Sequence, residues 1–223
     1  MIVQLQDVLN GKQLGQLREL IAGSGFVDGK LSAGMEARAV KNNEELAADD
    51  RTVNSLNRIV MGSLIRHTTY QAAAFPLRVA APFYARYTEG MAYGEHVDDP
   101  VMGTGDRYRS DIAITIFLSG PECYEGGELA ISTSFGEQMV KLPAGDAILY
   151  PASNLHQVKE VTSGERLVAA TWVQSMIRDP AKREVLFNLS RSRDHLLETA
   201  PNEKFTSLIS QSYVNLLRMW SEL

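Results

Sequence analysis

Two residue types that commonly ligate metals stand close together in "YGEHVDDP", Tyr93 to Pro100, in a chain that has only four histidines. On an extended segment, side chains at i and i+2 share a face, so His96 and Asp98 converge on one point. That point can hold a metal ion. A His-x-Asp pair recurs often by chance, so a third ligand is needed. His156, in "YPASNLHQV", lies 60 residues downstream at the start of an expected strand, after a turn bearing Pro, Ser and Asn. An adjacent strand of the same barrel would set it opposite His96. His67 and His195 have no ligand-type neighbour at useful spacing and read as capping or surface residues.

Two imidazoles and one carboxylate on one face of a metal leave several coordination positions open, the arrangement associated with non-heme Fe(II) oxygenases. Arg166, in "SGERLVAATWV", follows His156 by ten residues. An alternating strand running on from the metal would keep an even-offset residue on the same face and carry its guanidinium inward. A buried arginine needs an anionic partner, and its planar fork matches a carboxylate bidentately. One reading pairs it with Glu128 or Glu165. The other gives it a dicarboxylate cosubstrate that chelates iron at one end and needs a cation at the other, and His96, Asp98 and His156 together favour this second reading.

The elements that must position these residues change character along the chain. Leu14, Leu17, Leu20 and Ile21 recur at helical spacing and Gly23 stops the pattern. Residues 35 to 50 are polar and read as an irregular segment. A second helical pattern runs from about Val53 to Ile65, and both helices read as cover for a sheet. From Leu77, "LRVAAPFYARY", "DIAITIFLS", "GELAIST", "MVKLPA", "DAILYPA", "HQVKEV" and "RLVAATWVQS" are short runs rich in β-branched and aromatic residues. They predict antiparallel sheets, as a sandwich, barrel or double-stranded jelly roll, rather than a parallel α/β sheet. "GTGDRY" at 103 to 108 lies between strands and reads as a loop, with no helix after it to make a phosphate site. After Ser175 helical texture returns, with Asp179 as N-cap and Pro180 at the first helical position. Beyond Pro201, Phe205, Leu208, Ile209, Tyr213, Leu216, Leu217 and Trp220 form an apolar stripe that docks on the core or makes an oligomer contact. The organisation expected is therefore an N-terminal helical and mixed region over 1–76 that packs on the core, a mainly β domain over 77–177, and a helical extension over 178–223.

Composition limits what such a chain can do. At 223 residues, with 44% hydrophobic and 22% charged, it is long enough to bury a core without staples. A formal net charge of −5 and the absence of a long basic run argue against nucleic acid, leaving a small molecule or peptide as the expected partner. A single cysteine, Cys123, excludes an intrachain disulfide and thiolate-rich metal sites. With no basic leader or spanning apolar run, the protein is expected to be cytoplasmic and free of membranes.

The pattern "HVD", then "H", then "R", preceded by "RYTEGMAYGEH" and separated by "GGELAI" and "PAGDAILYPAS", resembles the Fe(II)- and 2-oxoglutarate-dependent dioxygenases. Within them it is most similar to the bacterial PKHD-type hydroxylases, whose catalytic module is like that of prolyl 4-hydroxylases. At the motif level the resemblance covers roughly residues 78 to 177. It implies a double-stranded β-helix (jelly-roll) core with flanking helices, and a hydroxylase that couples decarboxylation of 2-oxoglutarate to succinate with oxidation of a C–H bond. It makes His96, Asp98 and His156 the iron ligands and Arg166 the partner of the distal carboxylate. Tyr87 and Tyr93 match tyrosines that line the cosubstrate pocket, where core packing is an equal reading, and Trp172 also has a family counterpart. The cofactors implied are Fe(II), 2-oxoglutarate and dioxygen, with L-ascorbate as a candidate reductant.

The two glycines of "GGEL" are expected to serve backbone geometry. Arg109 and Asp111, beside the 103–108 loop, are candidates for substrate contact, with pairing to each other as the default. A cupin-like metal enzyme without 2-oxoglutarate and a non-catalytic iron or 2-oxoglutarate sensor are the rival readings. Residues alone leave the prime substrate open among an amino acid, a prolyl or other peptide, a protein side chain and an iron-uptake metabolite.

Overall fold

The computed structural model describes every residue except Ala33 and Thr104, and all side chains but those of these two and of Met35 and Glu36. Its core is two antiparallel sheets facing each other. The larger runs in the order Val3–Leu5, Ala147–Pro151, Ile112–Phe117, Arg166–Ser175, Phe83–Tyr87, Glu44–Ala47 and Gly25–Asp28, with Pro76–Val79 also pairing Arg166–Ser175. The smaller runs Gly136–Val140, Leu129–Thr133, His156–Val158, Ala92–His96 and Lys41–Asn42. This is the jelly roll that the resemblance implies, one of the antiparallel architectures the strand texture leaves open.

The central strand "IAITIF" has all six residues buried because each face is covered by something different. Ile112, Ile114 and Ile116 join one cluster with Leu17 of the helix Gly11–Ala22 and with Leu56, Val60 and Leu64 of the helix Asp50–Leu64. Both helices carry apolar residues at 3.6-residue spacing, so one stripe of each seals the outer face of the larger sheet. Side chains capping their first turns, Asn10 and Asp49, fix where they begin. On the inner face the same strand presents Ala113 and Phe117 to Leu129, Ile131 and Val158 of the smaller sheet. With a small Ala113 and a polar Thr115 between the sheets, the core remains open there, and both residues line a cavity.

The polar segment 35–50, expected to be irregular, instead forms a helix at Met35–Val40 and the strands Lys41–Asn42 and Glu44–Ala47. Its strands are short and lie toward the sheet edges, where Lys41 stands opposite Tyr93 and Glu45 opposite Ala85. Long-range pairing settles their conformation, and no local hydrophobic period announces it. With Val3–Leu5 also in the larger sheet, the first 76 residues are woven into both sheets rather than only packed upon them. A helix at Thr68–Ala74 has no counterpart in the sequence reading, and His67 caps it by accepting from the Tyr70 amide. His195 is exposed on the helix Pro180–Thr199, which starts from Asp179 as expected.

The last helix, Lys204–Trp220, packs through Tyr213, Leu216, Leu217 and Trp220 into a cluster with Phe75, Ile177 and Leu186. Phe205 and Leu208 of the same stripe remain exposed. Val101–Met102 and Tyr108–Arg109 pair as a small ribbon, so the end of "GTGDRY" is strand; its Thr104 lies outside the described residues. At "GGEL", Gly126 and Gly127 both have positive φ, and a Cβ at 126 would stand 2.1 Å from the Glu160 carbonyl oxygen. Only glycine fits that turn. No helix among the described residues is long and apolar enough to cross a membrane.

A fragment of residues 77–177 lacks Val3–Leu5, Lys41–Asn42 and Glu44–Ala47, and it exposes the isoleucines that the two helices cover. It is expected to show no cooperative thermal transition, and a cooperative one would mean that this core stands without its N-terminal strands.

Candidate metal centre

Strand register brings the two histidines together: His156 pairs directly with His96 across the smaller sheet, and their ring centroids are 4.2 Å apart. Directly opposed residues on antiparallel strands project to one side, so both rings enter the space between the sheets. Asp98, two residues past His96, completes the set, with ligand atoms from all three within 4.8 Å of one another. The adjacent-strand expectation holds in full.

Each imidazole is fixed in one tautomer. His96 Nδ1 lies 2.8 Å from the Gly94 carbonyl oxygen and His156 Nδ1 lies 2.9 Å from that of Asn154. A carbonyl oxygen only accepts, so Nδ1 carries a proton in both and Nε2 is the nitrogen left available to a metal. The Nε2 of His156 faces Asp98 Oδ1 at 3.9 Å. Tyr93 stacks on the His96 ring at 3.7 Å and Tyr150 meets His156 edge-on at 5.1 Å, which limits ring rotation.

Electrostatics favour a cation here. Burial holds the His96 pKa down at about 4, His156 pushes the same way, and the Gly94 carbonyl opposes them. The imidazole is therefore neutral and able to coordinate. Burial raises the Asp98 pKa, with His156 and the Trp172 indole pulling it back. Asp98 Oδ2 and Trp172 Nε1 are both buried without a hydrogen-bond partner. A buried carboxylate oxygen lacking a donor is destabilising, and a metal ion would satisfy it. The donor set of two nitrogens and a carboxylate suits a ferrous ion with positions left open.

The cavity that begins at this triad continues between the sheets to Arg166. Arg166 is 1% exposed and forms no ion pair among the described residues. Its guanidinium lies 5.0 Å from the Tyr87 ring and 5.6 Å from that of Phe117, while its Nε has no partner. Glu165, one of the two acids considered for it, sits near Arg86 instead, at 3.7 Å. Arg166 faces the interior as expected, but not from the strand expected. His156 and Arg166 are not on one strand: the chain first forms Val161–Gly164, paired with Tyr124–Gly126, and then crosses to the larger sheet. Arg166 enters the cavity from the opposite wall, on the face shared with Val168, Ala170 and Trp172.

Tyr87 and Tyr93 both line the cavity, and Trp172 stacks on Phe83 at 5.4 Å beside it. Arg109 and Asp111 do not line it; Arg109 Nε donates to Asp111 at 2.6 Å, and Asp111 also accepts from the Ser175 amide. Lys41 and Asn43 are lining residues that the sequence reading missed. The only available signal was a polar stretch that looked solvated.

Comparison with known proteins agrees with this geometry. Residues 82–174 match the 2OG-Fe(II) oxygenase superfamily model. A PKHD-type hydroxylase from Thioalkalivibrio sulfidiphilus is 48% identical over 224 residues, covering 100% of both chains. Another from a Synechococcus strain is 46% identical over 226 residues, again covering 100% of each. Among solved structures, a Pseudomonas putida prolyl-4-hydroxylase superimposes with a TM-score of 0.53 at 15% identity, over 78% of this chain and 92% of that one. At that identity the likeness is one of fold.

Replacing Asp98 by Ala, or His96 by Ala, is expected to lower the Fe(II) content of the anaerobically loaded protein to background while the thermal transition persists. Retained stoichiometric iron in either variant would remove that residue from the metal set.

Proposed function

This chain belongs to the PKHD-type hydroxylases of the 2OG-Fe(II) oxygenase superfamily, and from that membership we propose which of its residues carry the reaction. The protein is an Fe(II)- and 2-oxoglutarate-dependent hydroxylase, coupling oxidative decarboxylation of 2-oxoglutarate to succinate with hydroxylation of a second substrate. We assign iron to Nε2 of His96, Nε2 of His156 and the carboxylate of Asp98. The distal carboxylate of 2-oxoglutarate goes to Arg166. Bound iron supplies the dioxygen chemistry, and the chain supplies position and surroundings.

The observation that carries the assignment is the unpaired guanidinium at the far end of a cavity that starts at the triad. A buried charge without a counter-ion costs several kcal/mol, so a dianion spanning the two ends relieves both at once. The cupin alternative gives Arg166 no partner. Nε2 of His96, Nε2 of His156 and the Asp98 carboxylate would hold the metal, with both rings oriented by their Nδ1–H bonds to backbone carbonyls. Arg166, lying beside the Tyr87 ring, sets the direction in which the cosubstrate approaches. Phe83 and Trp172, stacked at the cavity wall, exclude water from the reacting end. Ascorbate enters this reading as an external reductant that keeps the iron ferrous.

For the second substrate we propose a prolyl residue within a peptide. Prolyl hydroxylases are among the proteins that share the fold. In addition, Val97 and Leu155, each next in sequence to a triad residue, and Val101 are exposed apolar side chains suited to an extended peptide. The cytoplasm is the proposed compartment, since the single cysteine requires no oxidising one.

Mass spectrometry of proline-containing peptides incubated with enzyme, Fe(II) and 2-oxoglutarate is expected to show one added oxygen per succinate formed. Succinate formation stimulated only by iron-chelating metabolites would replace the peptide assignment. Arg166→Ala is expected to raise the 2-oxoglutarate requirement by roughly 30-fold or more, the consequence of removing one partner of a buried charge pair. An unchanged requirement would return Arg166 to a packing role.

A further inference from the structure

Asn43 occupies an unusual place in the chain. It is the single residue between Lys41–Asn42, at the edge of the smaller sheet, and Glu44–Ala47, in the larger one. The chain crosses from one wall of the jelly roll to the other at this point. The Asn43 carbonyl accepts from the Gly29 amide at 2.9 Å, which ties the crossover down. Its side chain turns inward and lines the same cavity as Arg166 and Tyr87.

A residue closing a sheet edge over a core is normally apolar. Asn43 is 3% exposed, and neither its Oδ1 nor its Nδ2 has a hydrogen-bond partner. Leaving a buried amide unsatisfied costs about 1–3 kcal/mol, which a leucine at this position would not incur. Packing therefore gives no reason for an asparagine. Oδ1 is pressed against Gly29, where a Cβ on residue 29 would stand 2.0 Å from it. With Oδ1 against Gly29, the other arm of the amide, Nδ2, is the donor that Asn43 can offer to the cavity it lines. Tyr87, whose ring lies beside the Arg166 guanidinium, lines the same cavity.

We propose that Asn43 is a second anchor for the distal carboxylate of 2-oxoglutarate, its Nδ2–H donating to the carboxylate that Arg166 holds. The inference rests on the cosubstrate assignment made above and adds a binding residue to it, supplied by the N-terminal strands rather than by the segment 82–174 that matches the superfamily model. A carboxylate offers about four lone-pair directions. One arginine fork occupies two of them, and the amide takes a third, so the ligand satisfies a donor that the protein alone leaves empty.

The test is calorimetric titration of 2-oxoglutarate into anaerobic, Mn(II)-loaded protein, comparing wild type with Asn43→Leu, Asn43→Asp and Arg166→Ala, together with the thermal transition of each metal-free protein. Asn43→Leu is expected to weaken binding roughly 10-fold or more, the worth of a hydrogen bond to a charged group, without lowering the metal-free transition. Asn43→Asp keeps the shape and adds a negative charge facing the ligand, so its loss is expected to exceed that of Asn43→Leu. Wild-type affinity in both Asn43 variants with a large loss in Arg166→Ala would overturn the role of Asn43 and leave the cosubstrate assignment standing. A milder effect for Asp than for Leu would also overturn it, since shape alone would then matter. Unchanged affinity in all three variants would overturn the assignment on which the inference rests.

Discussion

A guanidinium sealed between two sheets, with no carboxylate paired to it among the described residues, sets the terms for the rest of this molecule. Arg166 is fully buried, and the surrounding side chains offer it aromatic faces and no ion pair. Aromatic rings attract a cation weakly compared with the hydration it has lost. The fold tolerates this because the larger sheet is sealed on its outer face by isoleucines packed against two amphipathic helices, which supplies stability away from the cavity. Stability and binding are divided between the two faces of one sheet. Alternation along Ile112–Phe117 makes the division possible, with branched side chains outward and Ala113 and Thr115 inward.

The opposite end of the cavity follows the same logic with the sign reversed. Among the described residues, buried Asp98 has an oxygen without a donor, and the two imidazoles leave Nε2 for a metal because their Nδ1–H groups donate to backbone carbonyls. The Gly94 and Asn154 carbonyls thereby fix ring orientation as well as the position of the Nδ1 proton. A cavity with an anionic, metal-seeking end and a cationic, carboxylate-seeking end is complementary to a chelating dicarboxylate. Neither end is satisfied by the protein, which is the physical sense in which the site is prepared for ligands.

Much of this was legible in the sequence, for identifiable reasons. The His96 and Asp98 spacing works because two residues of extended chain restore the same face. His156 could be placed because adjacent antiparallel strands set residues in register. The amphipathic period of residues 14–21 and the β-branched runs after Leu77 likewise reported their own burial. Arg166 faces the cavity for a reason other than its even offset from His156, since parity holds only within one strand and the chain changes sheets between residues 158 and 166. Residues 41–47 were illegible. Lys41 and Asn43 are polar residues lining the cavity and Glu45 pairs with Lys41, so the two short strands look like a solvated loop to any reading based on hydrophobic period. Polar residues that line a cavity carry no local mark of being buried; only the pairing of Lys41 with Tyr93 and of Glu45 with Ala85 reveals it.

The central claim is that iron held by His96, Asp98 and His156 shares a cavity with 2-oxoglutarate anchored at Arg166. Anaerobic titration of the Fe(II)-loaded protein with 2-oxoglutarate, followed in the visible spectrum, tests it most directly, because bidentate chelation of ferrous iron produces a weak metal-to-ligand charge-transfer band. The account requires that band to grow and saturate at one cosubstrate per iron. Iron that remains bound while no band forms would contradict it, leaving the triad as a metal site and the buried arginine without its partner.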